Sequence, residues 1–300
     1  MTFTRRDFMK TSAASAAAIT LGAPADAQEN TPVRRDIKKA VKLGMVAGEL
    51  SLLEKFQLLK DLGFDGVELD SPNNLDPETV LAARDKTGLS IHGVVDSVHW
   101  RDTLSDSNPE ARARGVAALE TALRDCKLYG GTTVLLVPAV VNKRISYYDA
   151  YRQSQIEIRR VLPLAEELGV KIALENVWNN FLLSPLEAAR YVDAFRSQAI
   201  GWYFDVGNIV NYGWPEHWVF ILGRRILKLD IKEFSRDKRD REGLWKGFNV
   251  ELLEGDCDWP SVMAALDEVG YGGWATAEVS GGDAARLRDI ADRMDRIFAL

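Results

Sequence analysis

Four acidic residues, Glu175, Asp205, Asp230 and Glu278, each sit in a short stretch that is otherwise strongly apolar: KIALENV, GWYFDVGN, RILKLDIKE and GWATAEVS. A carboxylate in such surroundings is costly to bury unless it is paired with a cation, hydrogen-bonded or bound to a metal. Close to them in sequence, Lys228 and Lys232 are the only basic candidates to neutralise four acids. A divalent cation held by the four carboxylates is the economical expectation. An all-oxygen donor set favours Mn2+ or Mg2+, with Zn2+ or Co2+ as alternatives that more often recruit His or Cys. The rival reading is that each acid is hydrogen-bonded separately. Around this set stand further polar and aromatic residues suited to holding a small polar ligand: Glu68, His92, His99, Trp178, Asn208 and Lys232.

These residues need a scaffold that brings distant strand ends together. From Lys42 onward a short apolar run alternates with a charged stretch of helical period, and the alternation occurs eight times. The expected strands are residues 42–48, 64–70, 90–96, 132–140, 171–177, 201–208, 225–233 and 273–280. Their continuously apolar centres suit a parallel sheet covered by helices. Expected helices include 51–62, 109–128, 147–168, 185–195 and 259–269, several followed by a glycine fit to end them. Eight strict repeats predict an α/β fold, a single (β/α)8 TIM barrel, and in such a barrel the active site is built at the C-terminal strand ends. No glycine-rich phosphate turn follows the first strand, so a nucleotide cofactor is not indicated. One connection, 233–258, is unusually long. Its SRDKRDRE portion reads as a solvated face, whereas Trp245 and Phe248 read as a lid over the site.

The chain of 300 residues carries a net charge of −6, which argues against a nucleic-acid partner. Its two cysteines, Cys126 and Cys257, form no close-spaced motif and read as small buried hydrophobes. Paired arginines, Arg5 and Arg6, precede an apolar run from Ala13 to Gly22, and Ala25-Asp26-Ala27 offers a cleavage site. TRRDFMK resembles the twin-arginine signal, which implies export of an already folded protein and a periplasmic location. The expected organisation is therefore a signal peptide over 1–27, a polar linker over 28–41 and the barrel over 42–300. The apolar run is too short to remain as a stable membrane anchor.

The stretches ALENVWNNFLLSP, WYFDVGN, LLEGDCDWPSVMAAL and GYGGWATAE resemble the xylose isomerase-like superfamily of sugar isomerases and epimerases, most closely its ketose 3-epimerases and hexulose- or pentulose-phosphate 3-epimerases. That resemblance implies that Glu175 and Glu278 both bind metal and act as the acid–base pair on opposite faces of the carbon beside a carbonyl. It also implies that Asp205 is a metal ligand. Strand seven departs from the pattern: relatives usually place a His ligand where this chain has Asp230, two residues before Lys232. Asn208 stands where some epimerases have a substrate-contacting His.

The expected function is thus metal-dependent epimerisation or isomerisation of a small sugar substrate, a ketose or keto-sugar, through an enediolate. Export and the lack of a basic cluster favour a non-phosphorylated sugar or a glycoside, with Ser280-Gly281-Gly282 the one stretch whose backbone amides could serve a phosphate. The alternatives are β-elimination from a 3-keto-glycoside and a periplasmic sugar-binding protein without activity. Association into a homo-oligomer is compatible with the sequence.

Overall fold

In the computed structural model, which describes residues 35–300, eight parallel strands close a barrel in strict chain order, the last pairing with the first. The strands are β1 Ile37–Lys42, β2 Gly66–Ser71, β3 Ser90–Asp96, β4 Thr133–Leu136, β5 Lys171–Glu175, β6 Ile200–Asp205, β7 Ile226–Ile231 and β8 Gly273–Ala277. The TIM barrel expected from the repeats is therefore present. The twin-arginine stretch and the expected cleavage after Ala27 lie outside the described residues.

The helices form where caps and periodicity agree. Ser51 and Glu54 make a reciprocal capping box at the first helix, α1 (Leu52–Asp61). Asn108 caps the long helix Pro109–Tyr129, whose first position is proline. Gly169, at φ +67°, ends helix Tyr147–Leu168 in the left-handed conformation that a side chain would strain. The apolar faces of these helices and the outer faces of the strands share one core, which includes Phe56, Phe64, Leu119, Val161, Tyr191, Trp202 and Trp259.

Two strands differ from expectation. Strand β1 ends at Lys42, where it was expected to begin, and Leu43–Met45 form a turn of 3-10 helix instead. The true strand, IKKAVK, carries three lysines, yet Ala40 and Val41 at its centre are fully buried. Strand β4 stops at Leu136, short of Pro138, which has no N–H to give to a ladder. The freed backbone donors go to side chains instead: Val137 N–H to His99 Nδ1 at 3.1 Å and Val140 N–H to Ser105 Oγ at 3.0 Å. Both cysteines are free and buried, as expected of small hydrophobes.

Side chains two apart on a strand face the same way, so the barrel interior is built in layers. One layer holds Glu68, His92, Tyr203, Lys228 and Thr276, all buried. Lys228 Nζ lies 2.6 Å from both His92 Nδ1 and the His92 carbonyl oxygen. An ammonium only donates, so Nδ1 accepts and the ring proton sits on Nε2, 3.2 Å from Thr276 Oγ1. The run continues from Thr276 to Tyr203 at 2.8 Å, and Tyr203 donates to Glu68 at 3.2 Å. Two residues beyond Glu68, Tyr203, Lys228 and Thr276 come Asp70, Asp205, Asp230 and Glu278. The acidic set thus occupies the next layer toward the barrel mouth.

Candidate metal and active site

The carboxylates of Glu175, Asp205, Asp230 and Glu278 each offer an oxygen within 4.8 Å of the others. They arrive from four consecutive strands, β5 to β8, and Asp205 and Asp230 are register partners across β6 and β7. The cluster lies at the floor of a cavity of about 670 Å3 whose walls include Asp70, His99, Trp100, Trp178, Trp245 and Phe248.

Two ammonium groups enter the cluster. Lys232 Nζ lies 2.7 Å from Asp205 Oδ2 and 3.1 Å from Glu278 Oε1. Lys42 Nζ lies 2.8 Å from Glu278 Oε2 and 3.2 Å from Asp230 Oδ2. Lys42 was not among the residues expected here, because the misplaced first strand put it at the barrel floor. Lys228, the other basic candidate near these acids in sequence, is turned into the lower layer, onto His92.

The charges respond to this arrangement. Burial, Glu278 and Asp205 push the Glu175 carboxyl well above the usual range, against the pull of Lys42 and Lys232. Burial likewise raises Asp230 despite Lys42, and raises Asp205 despite Lys232. At Glu278 the two ammonium groups outweigh burial and hold the carboxyl far below its ordinary value. For Lys42 burial works downward, but Asp230 and Glu278 more than reverse it and keep the amine protonated.

The donor set fits a divalent cation. With all four carboxylates ionised, as a bound cation would require, the two ammonium groups leave two negative charges, the amount such an ion cancels. Asp230 Oδ1 is buried with no hydrogen-bond partner among the described residues, an orphaned acceptor of the kind a cation satisfies. The donors are all hard oxygens.

The supporting residues are held by a small network. Asn176 Nδ2 donates to the Asp205 carbonyl at 2.7 Å, and Asn176 Oδ1 accepts from Trp202 Nε1 and from the Asp205 N–H. Asn208 N–H donates to Asp205 Oδ1 at 2.8 Å, fixing that carboxylate. The Asn208 side chain lines the cavity but is already engaged, its Nδ2 on the Asn176 carbonyl and its Oδ1 facing Lys232 Nζ at 3.4 Å. Trp178 donates Nε1 to the Asn208 carbonyl and presents its ring to the cavity. His99 lines the cavity with Nδ1 accepting from Val137, and burial, helped by Lys42, lowers it to about 3, so it is neutral.

His92 and Glu68 do not line the cavity. His92 stacks on Trp274 at 4.7 Å and is satisfied on both ring nitrogens, and Glu68 ends the same buried chain of hydrogen bonds. The expected substrate contacts of these two are therefore corrected to roles in the layer beneath. The reason is depth: both come before the middle of their strands, one layer short of the mouth. In the Ser280–Gly282 turn one amide is already committed. Gly282 N–H donates to the Met45 carbonyl at 3.0 Å, and a Cβ on Gly281 would lie 2.1 Å from that oxygen.

The long connection after β7 is anchored from below. Buried Glu233 accepts from Leu253 N–H, Cys257 N–H and Trp259 Nε1 at 2.8–3.0 Å. Its charged part is a helix, Arg236–Glu242, capped by Ser235. That part is more than a solvated face: Arg236 donates to the carbonyls of Val210 and Gly213, and Arg239 to that of Asn211. Trp245 and Phe248 follow in a 3-10 turn and pack on Trp178, each with ring centroids 4.9 Å away.

Among the described residues no helix is long and apolar enough to cross a membrane. Residues 2–22 match the twin-arginine translocation pathway signal sequence. The chain is 26% identical over 277 residues to the L-ribulose-5-phosphate 3-epimerase UlaE of Escherichia coli O1:K1, covering 84% of this chain and 94% of the relative. Its fold is shared with the D-allulose 3-epimerase from Methylomonas sp. solved with D-allulose (TM-score 0.71, 17% identity, 88% and 97% of the two chains). It is shared equally with the 3-keto-D-glucoside 4-epimerase YcjR from E. coli (TM-score 0.70, 17% identity, 87% and 98% covered). Residues 56–297, nearly all of the described barrel, match the family described as xylose isomerase-like TIM barrel, and the chain belongs to that family.

Proposed function

We infer that the protein is a metal-dependent epimerase or isomerase that moves a proton at the carbon beside the carbonyl of a ketose or keto-sugar. The observation that carries this reading is the pair Glu175 and Glu278, two cavity-lining carboxylates within one cluster of four carboxylates at the ends of neighbouring strands. Glu175, Asp205, Asp230 and Glu278 would hold Mn2+ or Mg2+, and a bound cation of this kind polarises carbonyl and hydroxyl oxygens, making the neighbouring C–H more acidic.

The remaining steps belong to the chain's own residues. Proton transfer between two faces needs one group ready to accept and another ready to donate. Glu278 lies between two ammonium groups, whereas Glu175 has none at hydrogen-bond distance among the described residues, and these two cavity-lining carboxylates are the candidate acid–base pair. Asn208 fixes Asp205, and neutral His99 offers Nε2 to a sugar hydroxyl. The sugar epimerase names carried by relatives of similar length support the same assignment. The signal match supports periplasmic residence after removal of residues 1–27.

The test is proton exchange in heavy water followed by NMR, using the mature protein with Mn2+ and a panel of free ketoses and 3-keto-glycosides. Exchange with inversion at one carbon is expected. Loss of the aglycone in place of inversion would assign the β-elimination instead. Glu175→Gln should slow exchange by about 10^2- to 10^4-fold without changing the melting profile, and unchanged exchange in that variant would remove Glu175 from the chemistry.

A further inference from the structure

Resting on that reading, we propose that the cavity holds a second subsite, lined by Trp100 and Trp245, for a neutral ring attached to the reacting sugar, so that the substrate class is a glycoside.

The two indoles are the unusual feature of the cavity wall. Trp100 is 53% exposed and Trp245 67% exposed, although both line the cavity. Trp100 follows β3 and Trp245 follows β7. Trp245 is carried by the long connection after β7 and lies on Trp178, which follows β5, so the two indoles reach the wall of the same cavity from different connections. Both are backed by fixed neighbours. Trp245 lies on Trp178, whose Nε1 is bonded to Asn208, and Trp100 packs edge-on to His99, whose Nδ1 is bonded to Val137. Large exposed aromatic faces on rigid supports mark a place where an apolar ligand face is covered.

Size and charge narrow the occupant. A cavity of about 670 Å3 falls in the range that encloses ligands of more than one ring and leaves space above a single sugar held at the floor. No arginine lines it. Its ion-paired lysines, Lys42 and Lys232, are committed to Asp205, Asp230 and Glu278 at the floor. The one glycine turn at the rim spends its Gly282 amide on Met45. A phosphate at the far end of the ligand would find no free cation among the described residues that line the cavity. A flat or pyranose ring without charge matches both indoles.

The test compares methyl β-glucoside, phenyl β-glucoside and glucose 6-phosphate by calorimetry on the full mature protein, with Trp100→Ala, Trp245→Ala and Trp245→Phe variants. Phenyl glucoside is expected to bind more tightly than the other two. Each alanine variant should weaken it by about three- to tenfold, leave methyl glucoside within twofold, and melt as the parent does; Trp245→Phe should recover most of the loss. The subsite is overturned if phenyl glucoside shows no saturable binding, if glucose 6-phosphate binds best, or if the alanine variants weaken all ligands alike. These readings do not depend on turnover. Tryptophan-dependent binding without any proton exchange would leave the subsite standing and reject the epimerase assignment.

Discussion

Glu278 has each carboxylate oxygen engaged by an ammonium group, one from the end of β1 and one from just beyond β7, and Lys42 is the cation that reaches Asp230. Lys42 therefore neutralises the same oxygens that a divalent ion would draw on. Replacing it by Met should leave Asp230, which is fully buried, without a counter-charge in the metal-free protein. The expected cost is about 2–4 kcal/mol, less than for a wholly buried pair because Lys42 is 22% exposed. In EDTA the melting temperature of Lys42→Met should fall by about 5 °C or more. Saturating Mn2+ should close at least half of that gap, because the ion replaces the missing charge and binds only the folded state. An equal gap with and without Mn2+ would show that Lys42 and the metal do not share these carboxylates. The four acids were legible because a charge within an apolar strand has few explanations. Lys42 was not, since a lysine at the edge of an apolar run is ordinarily a solvated one, and only the strand's true position turns it inward.

At the level of elements, seven of the eight strands could be placed to within a few residues from their apolar, β-branched centres. The exception, β1, shows the limit of that signal: GMVAG looks more like a buried strand than IKKAVK does. Three lysines are tolerated there because Lys39 reaches Asp295 at 2.6 Å and Lys42 reaches the carboxylate cluster. The connection 233–258 likewise showed its aromatics in sequence but hid its anchor. Glu233 drew no reading of its own in the sequence, yet it ties down Leu253, Cys257 and Trp259. Glu233→Gln would set an amide against several N–H donors. The expected effect is a loss of about 1–3 kcal/mol, concentrated in this segment. Limited proteolysis should then cleave within 236–256 markedly faster than in the parent, and an unchanged cleavage pattern would show that the segment is held by Trp178 and its aromatic neighbours alone.

For the whole molecule, the barrel was readable because its repeat is strict, and the layering followed once the strands were in register. What single segments could not reveal is that the charged floor is shared between the two ends of the chain. Strand β1 pairs with β8 over Ile37–Val41 and Gly273–Ala277, and the ion pair from Lys42 to Glu278 lies just above this seam. The floor is thus absent from every nascent chain until residue 278 has emerged. If the twin-arginine signal matched by residues 2–22 carries the chain across the membrane already folded, an ion held at this floor would be loaded in the compartment of synthesis. The precursor made untransportable by Arg5→Lys and Arg6→Lys should accordingly carry the same metal, in the same amount per chain, as mature exported protein; a metal-free precursor would move loading to the far side. The seam also orders events in time: a cation drawn to these carboxylates would meet a finished site or none.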